Sequence, residues 1–180
     1  MKILKKIVLL VLVFLAIAVI AGLFMPKEYA VEKEVTINQP KDSVFQFIRY
    51  LKNQDKFSVW AKMDPKMKQY FKGTDGEIGA INGWDSQMEN VGAGEQEIKK
   101  IVDGERIEFE LRFLRPMEST ENAYMSVESL SHNYTKVKWG FNGAFPYPMN
   151  ILKPFMGVEE MIGKDLQTGL DNLKLMREKK

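Results

Sequence analysis

Apolar and polar residues alternate along much of the chain, and this period of two predicts β-strands. The clearest case runs from 106 to 115, where Ile107, Phe109, Leu111 and Phe113 alternate with charged residues. A strand of this kind buries one face and leaves the other in water, as in an antiparallel sheet. Similar alternation between turn residues predicts further strands at 29–37, 68–72, 79–85, 95–101, 123–127 and 136–142.

Two other segments repeat their apolar residues every three or four positions, which is the period of an amphipathic helix. One covers about 40 to 53 and begins at Pro40, which suits the first turn of a helix. The other is a long helix from about 149 to 180. The order of strand, helix, about six strands and long helix predicts an α+β helix-grip fold. In such a fold a curved antiparallel sheet, here of about 6–7 strands, wraps around the terminal helix.

The N-terminal segment follows neither pattern, because every residue from 7 to 25 is apolar or glycine. As a helix this run spans about 28 Å, close to the ~30 Å hydrocarbon core of a bilayer. We therefore predict a transmembrane anchor within residues 1–28 and one domain in 29–180. A cleaved signal peptide is the alternative, with an A-x-A motif at 16–18. The apolar run continues past that motif, which favours the anchor.

The charges beside this segment predict its orientation. Lys2, Lys5 and Lys6 precede it, whereas the lysines that follow are mixed with glutamates. By the positive-inside rule the N-terminus lies in the cytoplasm and the domain lies on the outer side, in the periplasm or outside the cell. The lipid bilayer is therefore an expected partner, and no protein partner is indicated.

Composition excludes several classes of site. The chain has no cysteine, so a disulfide framework, a thiolate metal site and a cysteine nucleophile are excluded. Its 26 basic residues, three of them before the apolar run, nearly balance 24 acidic ones, which argues against binding to nucleic acid. The single histidine, His132, falls in a predicted turn and is interpreted as solvated. We expect neither a metal nor a cofactor.

Several segments carry a family resemblance. They are VTINQPKDSVFQFIRYLKN at 35–53, VWAKMDPKMK at 59–68, VGAGEQEI at 91–98, IEFELRFLRPMEST at 107–120, TKVKWGFNG at 135–143 and MIGKDLQTGLDNLK at 161–174. Together they resemble the START-like superfamily, also called SRPBCC or Bet v 1-like, and within it the polyketide cyclase/dehydrase-like branch of small bacterial proteins. The resemblance covers nearly all of residues 29–178 and implies that the membrane is a bacterial one.

The resemblance also implies a deep cavity between sheet and long helix, often used for lipids, sterols, polyketides or other hydrophobic molecules. We predict that large side chains line this cavity: Trp60, Tyr70, Trp84, Phe109, Phe113, Met125, Trp139, Phe141, Phe155, Met156 and Ile162. Ordinary core packing of the same residues stays open as an alternative.

Three functions follow from these observations. The first is a membrane-anchored, non-catalytic binding domain for a hydrophobic small molecule or lipid. The second is an enzyme of the polyketide cyclase or hydrolase type on an apolar substrate, with Asp64, Asp85 or Tyr70 as acid or base. The third is a protein-interaction domain at the membrane surface. The sequence has no P-loop, nucleophile elbow or dinucleotide fingerprint, which favours the first.

Overall fold

The computed structural model describes residues 2–179, and its centre is one antiparallel sheet of seven strands in the order β1-β7-β6-β5-β4-β3-β2. Every neighbouring pair of strands is antiparallel. The strands are β1 (Glu28–Ile37), β2 (Lys68–Lys72), β3 (Ile81–Asp85), β4 (Ala93–Val102), β5 (Arg106–Arg115), β6 (Ser119–Ser131) and β7 (Tyr134–Ala144).

The helices lie before, between and after these strands. They are α1 (Lys2–Gly22), α2 (Lys41–Ile48), α3 (Leu51–Phe57), α4 (Trp60–Met63), α5 (Lys153–Met156) and α6 (Val158–Glu178), with a 3-10 turn at Met149–Ile151. The long helix α6 lies against the sheet, with its closest packing along β1. This arrangement confirms the predicted helix-grip fold.

One hydrophobic core joins the sheet to the helices. Leu166, Leu170 and Leu173, spaced along one stripe of α6, are at most 1% exposed. They belong to the same cluster as Phe45 of α2 and Phe109 of β5. Each such side chain contributes about 1.5–3 kcal/mol through burial of its apolar surface. The core therefore fixes α6 across the sheet.

The predicted helix over 40–53 is wrong in its extent, because the chain leaves the helix at Tyr50 and starts α3 at Leu51. A carboxylate from a distant loop stabilises the interruption. Asp75 accepts hydrogen bonds from the backbone N–H of Leu51 at 2.7 Å and of Lys52 at 3.3 Å. These are the free donors of a new helix N-terminus, so Asp75 caps α3 in place of a local residue.

The predicted helix over 149–180 is interrupted as well. Gly157 separates α5 from α6 and has a φ of 59°, in the left-handed region that glycine tolerates best. The residues before it form the 3-10 turn and the short α5 instead of a continuous helix. The last predicted residue, Lys180, lies outside the described residues.

Within residues 2–179, one helix is long and apolar enough to cross a membrane, at Ile3–Gly22. Length and composition of this kind fit a membrane anchor and a signal sequence equally. Its C-terminal end is held by the segment before α6. Asn150 donates through Nδ2 to the carbonyl oxygens of Gly22 at 2.7 Å and Met25 at 3.1 Å. Tyr147 donates to the carbonyl of Val19 at 3.3 Å.

Candidate functional site

A cavity of about 240 Å³ lies between the inner face of the sheet, the helices α3 and α4, and the first half of α6. Most of its wall is apolar, and its large apolar side chains are Trp60, Met67, Trp84, Val91, Leu111, Phe113, Trp139, Phe141, Ile162 and Leu166. Its polar side chains are Gln54, Asp55, Ser58, Gln69, Asn82, Asn90 and Gln96. A concave apolar pocket with a few convergent polar groups is the usual form of a small-molecule site.

Aromatic rings shape the apolar part of the cavity. Trp60 of α4 meets Trp139 of β7 edge to face, with ring centroids 6.0 Å apart. Trp84 of β3 meets Phe113 of β5 in the same way at 5.9 Å. Such pairs are rigid and add about 0.5–1.5 kcal/mol beyond their burial. All three tryptophans of the chain therefore line the same space.

The predicted lining residues divide into those at the cavity and those elsewhere. Those at the cavity are Trp60, Trp84, Phe113, Trp139, Phe141 and Ile162. Phe109 and Met125 have the correct strand parity but are at most 1% exposed and belong to the solid core. Phe109 lies four residues before Phe113 on β5, and Met125 lies two residues after Ala123 on β6; Phe113 and Ala123 do face the cavity. Parity selects the face of the sheet but not the position along the strand.

Tyr70 lies on the opposite face of the sheet from the cavity, because its neighbour Gln69 is the β2 residue that lines it. The Tyr70 ring covers Gly83, where even a Cβ atom would clash with it. Its hydroxyl donates to Glu95 at 2.5 Å. Phe155 and Met156 of α5 are also away from the cavity, and they are 84% and 50% exposed.

The predicted acid–base candidates do not line the cavity either. Asp64 accepts a hydrogen bond from the Ser86 hydroxyl, which lowers the pKa of the Asp64 carboxyl. Asp85 is ion-paired with Arg115. His132 is exposed in the turn between β6 and β7. These contacts give each group a structural or solvated role.

The polar wall was not predicted. Gln54 is 4% exposed and Asn82 is 8% exposed. Gln96 donates to the side-chain oxygen of Gln54 at 2.9 Å, and Asn82 donates to Asp55 at 3.0 Å. Burial raises the pKa of the Asp55 carboxyl above its ordinary value. One signal in the sequence could have indicated this wall. Gln54 is a polar residue at a core position, on the helix stripe defined by Leu51 and Phe57.

A second, open groove of about 490 Å³ lies beside the end of α1. Its walls include Met25 and Pro26, the β1 residue Tyr29, and the start of α6. Lys153 crosses it, donating to the carbonyl of Glu28 at 2.8 Å and pairing with Glu159 at 3.1 Å. Burial beside acidic groups raises the pKa of Tyr29 to about 12. The groove therefore lies between the end of α1 and the rest of the fold.

Among the described residues there is no group of three or more His, Cys, Asp or Glu that could hold a metal ion. The sequence matches no family model and no curated protein. Its fold, however, has many solved counterparts.

Truncated norcoclaurine synthase from Thalictrum flavum superposes with a TM-score of 0.61 at 12% identity, covering 85% of this chain and 96% of that chain. A hypothetical protein from Helicobacter pylori gives a TM-score of 0.61 at 13% identity, covering 83% and 88%. A protein from Nitrosospira multiformis gives 0.57 at 14%, covering 83% and 96%. At these identities the likeness establishes the Bet v 1-like fold, and function has to be argued from the site.

Proposed function

We propose that this protein is a membrane-anchored, non-catalytic binding domain for a hydrophobic small molecule or lipid. The observation that carries the proposal is the aromatic cavity of about 240 Å³ between sheet and α6. A filled core would leave no such space, since protein interiors pack with few voids larger than a water molecule. An apolar hollow lined by tryptophans therefore supports binding of an apolar guest.

The arrangement around α1 supports a membrane location. Strand pairing brings the start of β1 and the ends of β5 and β7 to one end of the sheet, which we call the anchor end. Exposed apolar side chains from several strands, helices and turns lie there. They are Leu23, Phe24, Met88, Leu114, Met117, Leu152, Phe155, Met156 and Met161, each at least 42% exposed. Exposed apolar surface next to a hydrophobic helix favours contact with lipid.

The cavity is displaced toward the same end. Asn90 and Val91, from the loop between β3 and β4, form part of its wall, as does Ile162 from the second turn of α6. A compound dissolved in the bilayer would therefore meet the domain at the end where the cavity lies. Lys2, Lys5 and Lys6, which precede the apolar run of α1, support a domain on the outer side of a bacterial membrane.

The test is to purify the full chain from its membrane, extract it with organic solvent and identify co-purified compounds by mass spectrometry. The matched variants are Ala61→Phe, which adds bulk at the cavity wall, and Ala30→Phe, which adds it at an exposed site on β1. We expect a hydrophobic compound to accompany the wild type and Ala30→Phe but to be depleted in Ala61→Phe. Equal recovery from all three proteins would contradict binding in the cavity.

Catalysis is a second candidate because of Asp55. Norcoclaurine synthase is, by its name, an enzyme on the same fold, and Asp55 is the acidic residue of the cavity wall. A buried carboxyl with a raised pKa is suited to proton transfer. If Asp55→Asn co-purifies with a substrate and the wild type co-purifies with the product of that substrate, the protein is an enzyme. Identical compounds in both proteins favour binding alone.

A further inference from the structure

The polar wall of the cavity carries two unpaired groups. Among the residues that the structure describes, Nε2 of Gln54 and Oδ1 of Asn82 are buried side-chain atoms without a hydrogen-bond partner. Both side chains are more than nine-tenths buried, and both line the cavity. Buried polar groups in folded proteins are nearly always hydrogen-bonded. An unpaired donor and an unpaired acceptor on side chains that line one cavity therefore point to a partner in that cavity.

The hydrogen bonds to neighbouring side chains show which atoms of Asn82 and Gln54 are free. The carboxylate of Asp55 can only accept, so the Asn82 amide turns its N–H toward Asp55 and leaves its oxygen free. Gln96 donates to the Gln54 oxygen, which leaves the Gln54 N–H group free. The buried, unpaired atoms of the polar wall are therefore one donor and one acceptor. The formal charge of this wall is the carboxylate of Asp55, which is already hydrogen-bonded.

We infer that the ligand is amphipathic, with an uncharged polar end, a hydroxyl or a primary amide, placed between Gln54 and Asn82. Its apolar body lies against the aromatic rings of Trp60, Trp84 and Trp139. A hydroxyl or an amide both donates and accepts, so either satisfies both free groups. A carboxylate only accepts, so it leaves the Asn82 oxygen unpaired and adds a negative charge near Asp55. This inference rests on the proposed function and specifies its ligand class.

Eight-carbon probes test the inference, because a cavity of about 240 Å³ is smaller than most pockets for drug-sized ligands, which span ~300–1,000 Å³. The probes are octan-1-ol, octanamide, octanoate and octane. The full chain is held in lipid nanodiscs at neutral pH, and empty nanodiscs correct for partitioning into lipid. Since all three tryptophans line the cavity, their fluorescence reports occupancy directly.

We expect octan-1-ol and octanamide to bind at least about tenfold more tightly than octanoate and octane, since one unpaired buried polar group is worth roughly that factor. Gln54→Met removes the free donor while keeping the side-chain length. It should reduce the preference for octan-1-ol and octanamide over octanoate and octane to about threefold or less. Gln46→Met is the control, since Gln46 is exposed on α2. It should keep the wild-type preference.

Folding of each variant is checked by a cooperative thermal transition, and Asn82→Leu provides a second, independent removal of one free group. Octanoate binding as tightly as octan-1-ol, or an unchanged preference in both cavity variants, overturns the inference. If all four probes bind equally, the inferred ligand class is wrong, but binding of a hydrophobic molecule in the cavity is still supported. If none binds, both are wrong.

Discussion

At the scale of single residues, two glycines of α6 separate the effect of helix propensity from that of packing around the cavity. A Cβ atom on Gly163 would lie 3.0 Å from Cε of Lys33, the flexible end of a long side chain. A Cβ atom on Gly169 would lie 2.7 Å from the indole ring of Trp139, which is 6% exposed and wedged against Phe57.

We therefore expect opposite results from the same substitution at these positions. Gly163→Ala should raise the free energy of unfolding by up to about 1 kcal/mol, the helix-propensity difference. Gly169→Ala should lower it by about 1 kcal/mol or more, since overpacking a core costs ~1–3 kcal/mol. Denaturant unfolding of the full chain in micelles measures both. A stabilised Gly169→Ala protein would show that the Trp139 ring moves freely.

The outer face of the sheet makes a pH-dependent contribution to stability. Arg112 contacts Glu95 at 2.8 Å and both Glu97 and Glu110 at 2.6 Å. Hydrogen bonds from Tyr70 and Arg112 lower the pKa of Glu95 to about 2, against an ordinary 4.5. Because the folded state holds the ionised form, the stabilisation is complete above the ordinary value and disappears as the pH falls toward 2.

Glu95→Gln should accordingly lower the melting temperature at neutral pH, and the difference from wild type should shrink as the pH falls from about 4.5 toward 2. The corresponding loss in the free energy of unfolding is ~1 kcal/mol, because water screens charge pairs on the surface. Glu89→Gln, in the exposed loop between β3 and β4, is the control. A difference that is constant with pH would mean that the Glu95 side chain acts by packing alone.

At the scale of secondary-structure elements, the junction between α1 and the domain is ordered by side chains from the segment before α6. Asn150 is buried and donates to the carbonyl of Gly22, the last residue of α1, and to that of Met25 in the turn that follows. Asn150→Leu should therefore speed hydrogen exchange at the amides of Leu23, Phe24 and Met25, the last turn of this segment.

Asn142→Leu, at an exposed position of β7, serves as the matched control for that measurement. It should leave exchange at the amides of Leu23, Phe24 and Met25 unchanged. If Asn150→Leu also leaves it unchanged, the anchor end is ordered by apolar contacts such as those of Ile151 with Gly22 and not by the amide.

The elements themselves were largely predictable. Strict alternation identified β5 with its observed ends, and the turn residues around 73–76 and 103–104 bounded β2 and β4 closely. The interruption between α2 and α3 was not predictable, because Asp75 belongs to a loop far along the chain. The same holds for the polar wall, where Gln96 pairs with Gln54 only after the sheet has closed over α3. Local periodicity contains no information about such long-range partners.

At the scale of the whole molecule, the proposed membrane contact predicts the depth of defined sites. The chain lacks cysteine, so one introduced cysteine gives a unique label. An environment-sensitive dye on Phe155→Cys or Met117→Cys, both at the anchor end, should be quenched by spin-labelled lipid. The dye on Leu130→Cys, near the turn at the opposite end of β6, should remain unquenched. Equal quenching at all three sites would contradict the proposal that the anchor end faces the lipid.

The hydrogen bonds of Tyr147 and Asn150 to the backbone of Val19, Gly22 and Met25 attach the domain to α1 at several points. A body attached at several points cannot swivel as one on a flexible linker does. On the proposed function, the entrance of the cavity then keeps a constant height and tilt above the lipid. A guest would reach it by diffusion in two dimensions, so its supply would depend on its concentration in the bilayer rather than in water.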